Sequence, residues 1–185
     1  FCLLVLSTTA NANIITVNQL APAMNAIMFS DSQNPMALID WKVGDSQDQQ
    51  VTLTSFGMKG TLHKEAFKEE GNGIWVRQEM TLPIMNDKSE VLYDRDSGKI
   101  LRYIHNGKDE SIPEGNIEII GQTREVIEVP AGKFQTIHIT AKSKDIKQID
   151  LWAAPRQISL DGSAKTLMDQ GQMKIEMVLT KFTKN

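Results

Sequence analysis

The stretch EVIEVPAGKFQTIHIT, residues 125–140, decides how this chain is read. Two runs of alternating side chains meet at Val129-Pro130-Ala131-Gly132. Proline stands at the second turn position, where its fixed φ is already correct, and glycine stands at the fourth. TREVIEV therefore reverses into KFQTIHITAK as an antiparallel pair. The second strand is expected to continue through KDIKQIDLWAA and to stop at Pro155, which has no N–H for a ladder. Gly162, in DLWAAPRQISLDGSAK, then permits another sharp change of direction.

Working outward, the same period of two recurs from Trp41 onward. In GIWVRQEMTLP, Ile74, Val76, Met80 and Leu82 share one side, and Arg77, Glu79 and Thr81 share the other. In KILRYIHNGK, Leu101 and Tyr103 oppose Ile100, Arg102 and Ile104. In KIEMVLTKF, Ile175, Met177 and Leu179 oppose Lys174, Glu176 and Thr180. Strands with one wetter face belong to antiparallel sheets. The turns agree. Asn106-Gly107 is the strongest local hairpin signal, because both residues tolerate the left-handed conformation. Asp96-Ser97-Gly98 and Gly71-Asn72-Gly73 separate other alternating runs. Turns recur every 10–20 residues with no long helical stretch between them, which argues against parallel βαβ units.

Composition narrows the class. A chain of 185 residues fits one domain with a real core, and 41% hydrophobic content is too high for disorder. The net charge of −3 comes from interspersed acids and bases, so there is no basic face for nucleic acid. No apolar run reaches the roughly 18–20 residues of a membrane helix. FCLLVLSTTANA reads as the end of a secretory leader, with Ala10 and Ala12 in an A-x-A arrangement and cleavage expected after Ala12. Its basic beginning would lie upstream of Phe1. The chain's one cysteine, Cys2, falls inside that leader, so the exported chain would carry no disulfide, thiol nucleophile or cysteine metal site. Three parts are thus expected: a leader over 1–12, a helical or irregular arm over 13–40 rich in Ala and Met, and an antiparallel β domain over 41–185.

The hairpin E-V-P-A-G-K-F-x-T-I-x-I, a strand ending in L-W-x-x-P, a G-x-x-K segment and a final strand resemble a group of bacterial periplasmic proteins. These are classed under domains of unknown function related to family 3108. The matching positions are Val129, Pro130, Ala131, Gly132, Phe134, Trp152, Pro155, Gly162 and Lys165. W-K-V-G-D at 41–45 is similar to the group's opening strand. The resemblance spans roughly residues 41–182, although the middle of the chain matches in alternation alone. It implies one strongly curved antiparallel sheet, a half-barrel, loosely similar in shape to LolA/LolB-type lipoprotein carriers whose concave face holds acyl chains. It implies no catalytic residues.

The residues themselves suggest no reaction. His63, His105 and His138 lie on different predicted strands or turns, without H-x-H, H-E-x-x-H or cysteine partners, so no metal site is expected. There is no G-x-S-x-G elbow, and DGSAK reads as a turn. The glycine pairs precede no helix that could cradle a phosphate. No cofactor is expected. The residues chosen as candidate ligand contacts are Trp152, Trp75 and Trp41, each readable either as core aromatics or as the rim of an apolar concavity. The expected protein is periplasmic or secreted and non-enzymatic. It would bind a lipid-like ligand, or a partner strand, in its concave face. The second reading is a filled structural module that recruits envelope partners through exposed edge strands, and an unrecognised hydrolase comes third.

Overall fold

The computed structural model describes residues 39–112, 117–144 and 146–185. The expected leader and nearly all of the arm lie outside these residues. The described part is one antiparallel sheet of eleven strands. The first six are β1 (Ser46–Leu53), β2 (Met58–Glu70), β3 (Gly73–Leu82), β4 (Met85–Asp94), β5 (Ile100–His105) and β6 (Lys108–Glu110). The rest are β7 (Ile117–Val129), β8 (Gly132–Ser143), β9 (Gln148–Ala153), β10 (Ser163–Asp169) and β11 (Lys174–Thr183). No described helix is long and apolar enough to cross a membrane.

The strand order is β6-β5-β4-β3-β2-β1-β11-β10-β9-β8-β7. Two meanders are joined at the middle by the pairing of β1 with β11. The consecutive strands β6 and β7 are therefore the two opposite edges. In a flat sheet of eleven strands the edges would stand roughly 48 Å apart. Seven chain steps from Glu110 to Ile117 can span at most about 25 Å. The sheet must roll.

Burial marks the inside of the roll. On β1 the buried residues are Gln47, Gln49, Val51 and Leu53; on β3 they include Ile74, Val76, Gln78, Met80 and Leu82. The inner face continues through Leu179, Met177 and Ile175 of β11, Met168 of β10, Leu151 and Ile149 of β9, and Ile139 of β8. Val51, Leu62, Ile139 and Met177 are at most 2% exposed. Each such side chain contributes about 1.5–3 kcal/mol through burial.

The hairpins form where the turn residues allow them. Asn106 and Gly107 have φ of 48° and 79° and close a two-residue turn between His105 and Lys108. Val129 pairs with Gly132 across Pro130-Ala131, as the opening stretch predicts. Three expectations need correction. Residues 41–45 form a turn before β1, because the Lys42 N–H donates to Asp45 Oδ2 at 3.0 Å and the Asp45 N–H to the Lys42 carbonyl. The strand after the VPAG turn does not run on to Trp152. Ser143 N–H bonds the Ile146 carbonyl while Ile146 N–H bonds Ser143 Oγ, which folds the run into the β8–β9 hairpin. Leu101 and Tyr103 do not share a burial state. A bulge at Leu92/Tyr93 shifts the register, leaving Leu101 54% exposed and letting Ile100 pack inward.

After β9, residues 154–162 fold back on themselves. Ile158 N–H bonds the Ala154 carbonyl, and the Ala154 N–H bonds the Gly162 carbonyl. Gly162 has a φ of 70°, and a Cβ there would overlap the backbone of Pro155. At Gly107 a Cβ would meet nothing within 4 Å. Gly107→Ala should therefore cost only the left-handed penalty of about 1 kcal/mol. Gly162→Ala should cost about 3 kcal/mol, because a backbone overlap adds to that penalty. Urea unfolding of the two variants checks the ordering. Equal costs would mean that the loop yields freely.

Candidate functional site

Following the register across the first six strands exposes a feature that no single strand shows. Gln47 lies opposite Lys64, Lys64 opposite Gln78, Gln78 opposite Ser89, Ser89 opposite His105, and His105 opposite Lys108. Directly opposed residues share a face. A polar belt thus runs along the inner face from the middle of the sheet to its β6 edge. It is sealed at the start and open at the end: Gln47 is 0% and Lys64 4% exposed, whereas Lys108 is exposed. On one side of it lie Leu62, Met80 and Leu82; on the other lie Ala66, Val76, Val91 and Tyr103. The belt divides the apolar interior into two clusters.

Buried polar groups are tolerated when they find partners. The loop at 154–162 supplies them. Gln47 Nε2 donates to the Ser159 carbonyl at 2.5 Å and to Asp161 Oδ1 at 3.1 Å. Gln49 Nε2 donates to Gln47 Oε1 and to the Ser163 carbonyl, each at 3.3 Å. Lys64 Nζ forms an ion pair with Asp161 Oδ2. Asp161 Oδ1 also accepts the Ser163 N–H at 3.0 Å. At the far end, His105 Nε2 lies 2.6 Å from Asp87 Oδ1, and His105 Nδ1 lies 3.4 Å from Glu110 Oε1. Burial of the ring pulls the His105 pKa down. The hydrogen bond and charge of Asp87, with those of Glu110, outweigh it, and the net shift is upward.

Gln78 stands between these two satisfied ends. Its side chain is 7% exposed and has no hydrogen-bond partner among the described residues, yet none of its polar atoms is sealed from solvent. A side-chain amide with two donors and an acceptor, flanked by apolar surface on both sides, can bind the polar part of an amphiphile.

The three candidate tryptophans occupy different places in the sheet. Trp41 is buried against Tyr93, ring centroids 5.2 Å apart, in the cluster containing Val76 and Val91. Trp75 is buried on the outer face beside Phe67, with its Nε1 donating to Glu70 Oε2 at 3.1 Å. Hydrogen bonds from Lys68 and Trp75 hold the Glu70 carboxyl below the usual range. Trp152 is also outside, because its neighbours Leu151 and Ala153 are the ones that enter the core. It stacks on His138 at 4.2 Å, donates Nε1–H to Glu125 Oε1 at 2.5 Å, and has Lys165 Nζ 5.6 Å from its ring. The histidines likewise stay apart, each beside a carboxylate: His63 with Asp48 at 2.6 Å, His138 with Asp150 and Glu125 at 3.0 Å. No group of three or more His, Cys, Asp or Glu among the described residues is arranged to hold a metal ion. Sequence reading passed over the belt. The available signal was a polar residue in phase with an apolar face, as at Gln78 between Val76 and Met80.

Two outcomes follow. Lys64→Met or Asp161→Leu alone should cost about 3–5 kcal/mol by stranding a buried charge, while the double substitution should recover most of that loss. A double-mutant cycle in urea reads the coupling, and additive losses would show that the pair is inert. His105 has its folded pKa raised above the unfolded value of about 6.5. Its contribution is full below that value and is lost as pH rises through the higher folded pKa. His105→Gln should therefore lower stability more at pH 5.5 than at pH 8.5. A pH-independent difference would contradict the pairing.

No family model matches this chain, and no curated protein matches it. Membership of family 3108, which the hairpin and L-W-x-x-P residues resemble, is therefore not shown. Among solved structures, a Bacteroides fragilis protein of YmcC-like fold, described as a candidate exported protein, aligns at 11% identity. The alignment covers 80% of this chain and 100% of that one, with a TM-score of 0.45. A Parabacteroides distasonis protein described as a candidate lipoprotein aligns at 11% identity over 80% of this chain and 99% of its own, with a TM-score of 0.43. The MucA/MucB complex structure from Pseudomonas aeruginosa aligns at 9% identity over 87% of this chain and 56% of that one, with a TM-score of 0.42. These likenesses are distant, and the functional reading rests on the side chains of the belt.

Proposed function

We propose that this chain is a non-enzymatic binding protein of the bacterial envelope, and that its rolled sheet works as a half-barrel holding an amphiphilic ligand on the inner face. The observation that carries the reading is Gln78. It is a nearly buried amide without a protein partner, set in a row of polar groups between two apolar clusters. The ligand's polar group would meet Gln78 and the open end of the belt, and its apolar part would lie against Val76, Val91 and Tyr103 or against Leu62 and Met80. The leader-like run at 1–12 supports export to the envelope. A filled structural module is the competing reading, and the near-zero exposure of inner residues such as Val51 and Ile74 favours it.

Binding of a fluorescent long-chain fatty-acid analogue separates the two. The ligand reading expects saturable binding that weakens about tenfold in Gln78→Leu, the worth of one hydrogen bond, with folding stability nearly unchanged. Native mass spectrometry of protein taken from its own envelope should show a co-purifying amphiphile. A bare polypeptide mass together with no probe binding would establish the filled core instead.

A further inference from the structure

The hairpin turns sort by end. Neighbouring strands alternate in direction, so the turns β1–β2, β3–β4, β5–β6, β8–β9 and β10–β11 gather at one end of the roll, with the start of β7. The turns β2–β3, β4–β5, β7–β8 and the loop at 154–162 gather at the other. That second end is polar and tied. Asn72 Nδ2 donates to Asp96 at 2.7 Å, Arg95 to Glu69 at 2.8 Å, and Lys184 Nζ to the Pro155 carbonyl at 3.1 Å.

The first end is apolar at its tips. Phe56 in the β1–β2 turn and Ile84 in the β3–β4 turn are 61% and 63% exposed, the highest values among the described large apolar residues. None of the turns at the other end carries an exposed large apolar side chain. Turns recruit Gly, Asn, Asp, Ser or Pro for backbone reasons, and neither Phe nor Ile supplies one. The two tips are neighbours, because β2 pairs with β3 from Thr61 opposite Thr81. The Thr54 N–H bonds the Lys174 carbonyl and the Lys147 N–H bonds the Asp169 carbonyl, each at 2.9 Å, which sets the β10–β11 and β8–β9 turns alongside. Behind the tips, half-buried Met58, Met85 and Met173 pack on the interior cluster of Val51, Leu62 and Met177.

The same end is basic. Its described acids are already matched: Asp87 by His105, Glu118 by Lys142 and Asp169 by Lys174. Lys59, Lys144 and Lys147 are exposed and form no ion pair among the described residues. Lys147 Nζ reaches over the β10–β11 turn, 3.2 Å from where a Cβ on Gly171 would stand. The whole chain carries −3, so this end stands apart in charge as well.

We infer that this end of the roll docks on an anionic lipid surface, with Phe56 and Ile84 entering between headgroups and Lys59, Lys144 and Lys147 meeting phosphates. Shape and charge together select the occupant. Two protruding apolar side chains among lysines offer no groove for a peptide, whereas a headgroup layer accepts both an inserted ring and a cation. Docking needs no amphiphile in the interior, so it stands or falls separately from the ligand reading.

Flotation of the whole chain with phosphatidylcholine vesicles, with and without phosphatidylglycerol, tests this. Wild type should bind the anionic vesicles more strongly, and added salt should shrink the difference. Phe56→Ser with Ile84→Ser should lower partitioning by more than about tenfold, the scale for withdrawing two large apolar side chains from lipid. Each Lys→Gln change at 59, 144 or 147 should lower it about fivefold. Leu101→Ser, at similar exposure but near the other end, should leave binding unchanged. Every changed side chain is exposed, so the urea midpoints should stay close to wild type. The apolar run at 1–12 is common to all variants, and a readout at the tip itself separates its contribution. In Phe56→Trp, lipids brominated in their acyl chains should quench the added fluorescence. Absence of that quenching, equal binding to both vesicle types, or full binding by the Phe56/Ile84 double variant overturns the inference. A lipid-free dimer in sedimentation, lost in the same double variant, would overturn it too by assigning the tips to a second copy.

Discussion

Everything in this fold depends on one topological constraint: strands adjacent in sequence, β6 and β7, are the two outermost strands of an eleven-stranded sheet. A short connection can join them only if the sheet rolls, and rolling gives the chain an inside without a second layer. Alternation then sorts the residues. Inner positions bury Val, Leu, Ile and Met, and outer positions carry charge ladders such as Arg77–Glu90 at 3.0 Å and Lys165–Glu176 at 2.9 Å. The pairing of β1 with β11 holds the two meanders together, and its residues are among the least exposed of the chain.

A rolled sheet of this width has more interior than its aliphatic side chains occupy in one continuous cluster. The loop at 154–162 addresses the middle of it. Gly162 allows the loop to turn against Pro155, which delivers Ser159 and Asp161 to Gln47 and Lys64. A lysine in an apolar interior would be untenable alone; with Asp161 it becomes a register pin between β2 and a segment about a hundred residues away. The pinned end fixes the belt's geometry. At the other end His105 is held by Asp87 and Glu110, and Lys108 is exposed.

Much of this was legible in the sequence, because period-two patterning and two-residue turns are local physics. The VPAG and Asn106-Gly107 turns, the faces of β3 and β11, and the antiparallel class all follow from a few residues each. The errors share a cause. Bulges and side-chain caps change the phase of a strand by one residue, and a one-residue change flips every side chain after it. That explains Leu101 after the Leu92/Tyr93 bulge and the Ser143–Ile146 turn that separates β8 from β9. The belt was harder to see. Each of its residues looks like an unremarkable interruption of its own strand; only the cross-strand register lines up Gln47, Lys64, Gln78, Ser89 and His105. Trp152 drew notice for its size, yet its aromatic area serves the outer face, stacked on His138.

The distribution of polar groups also shows how the two faces differ in purpose. On the outer face nearly every charge has an opposite neighbour across a strand, the ordinary arrangement of a solvated sheet, and such pairs are worth little individually. On the inner face the belt forms one continuous row, with Gln49, Asp87 and Thr166 as further buried polar positions, and such groups are costly there unless satisfied. Gln47, Gln49 and Lys64 are satisfied by the protein itself. Gln78 has no hydrogen-bond partner among the described residues. A leucine in place of this amide, between Val76 and Met80, would join the two apolar clusters into one. The amide divides the interior, and the loop that satisfies Gln47, Gln49 and Lys64 is the means by which the fold tolerates polar groups at the closed end of the row.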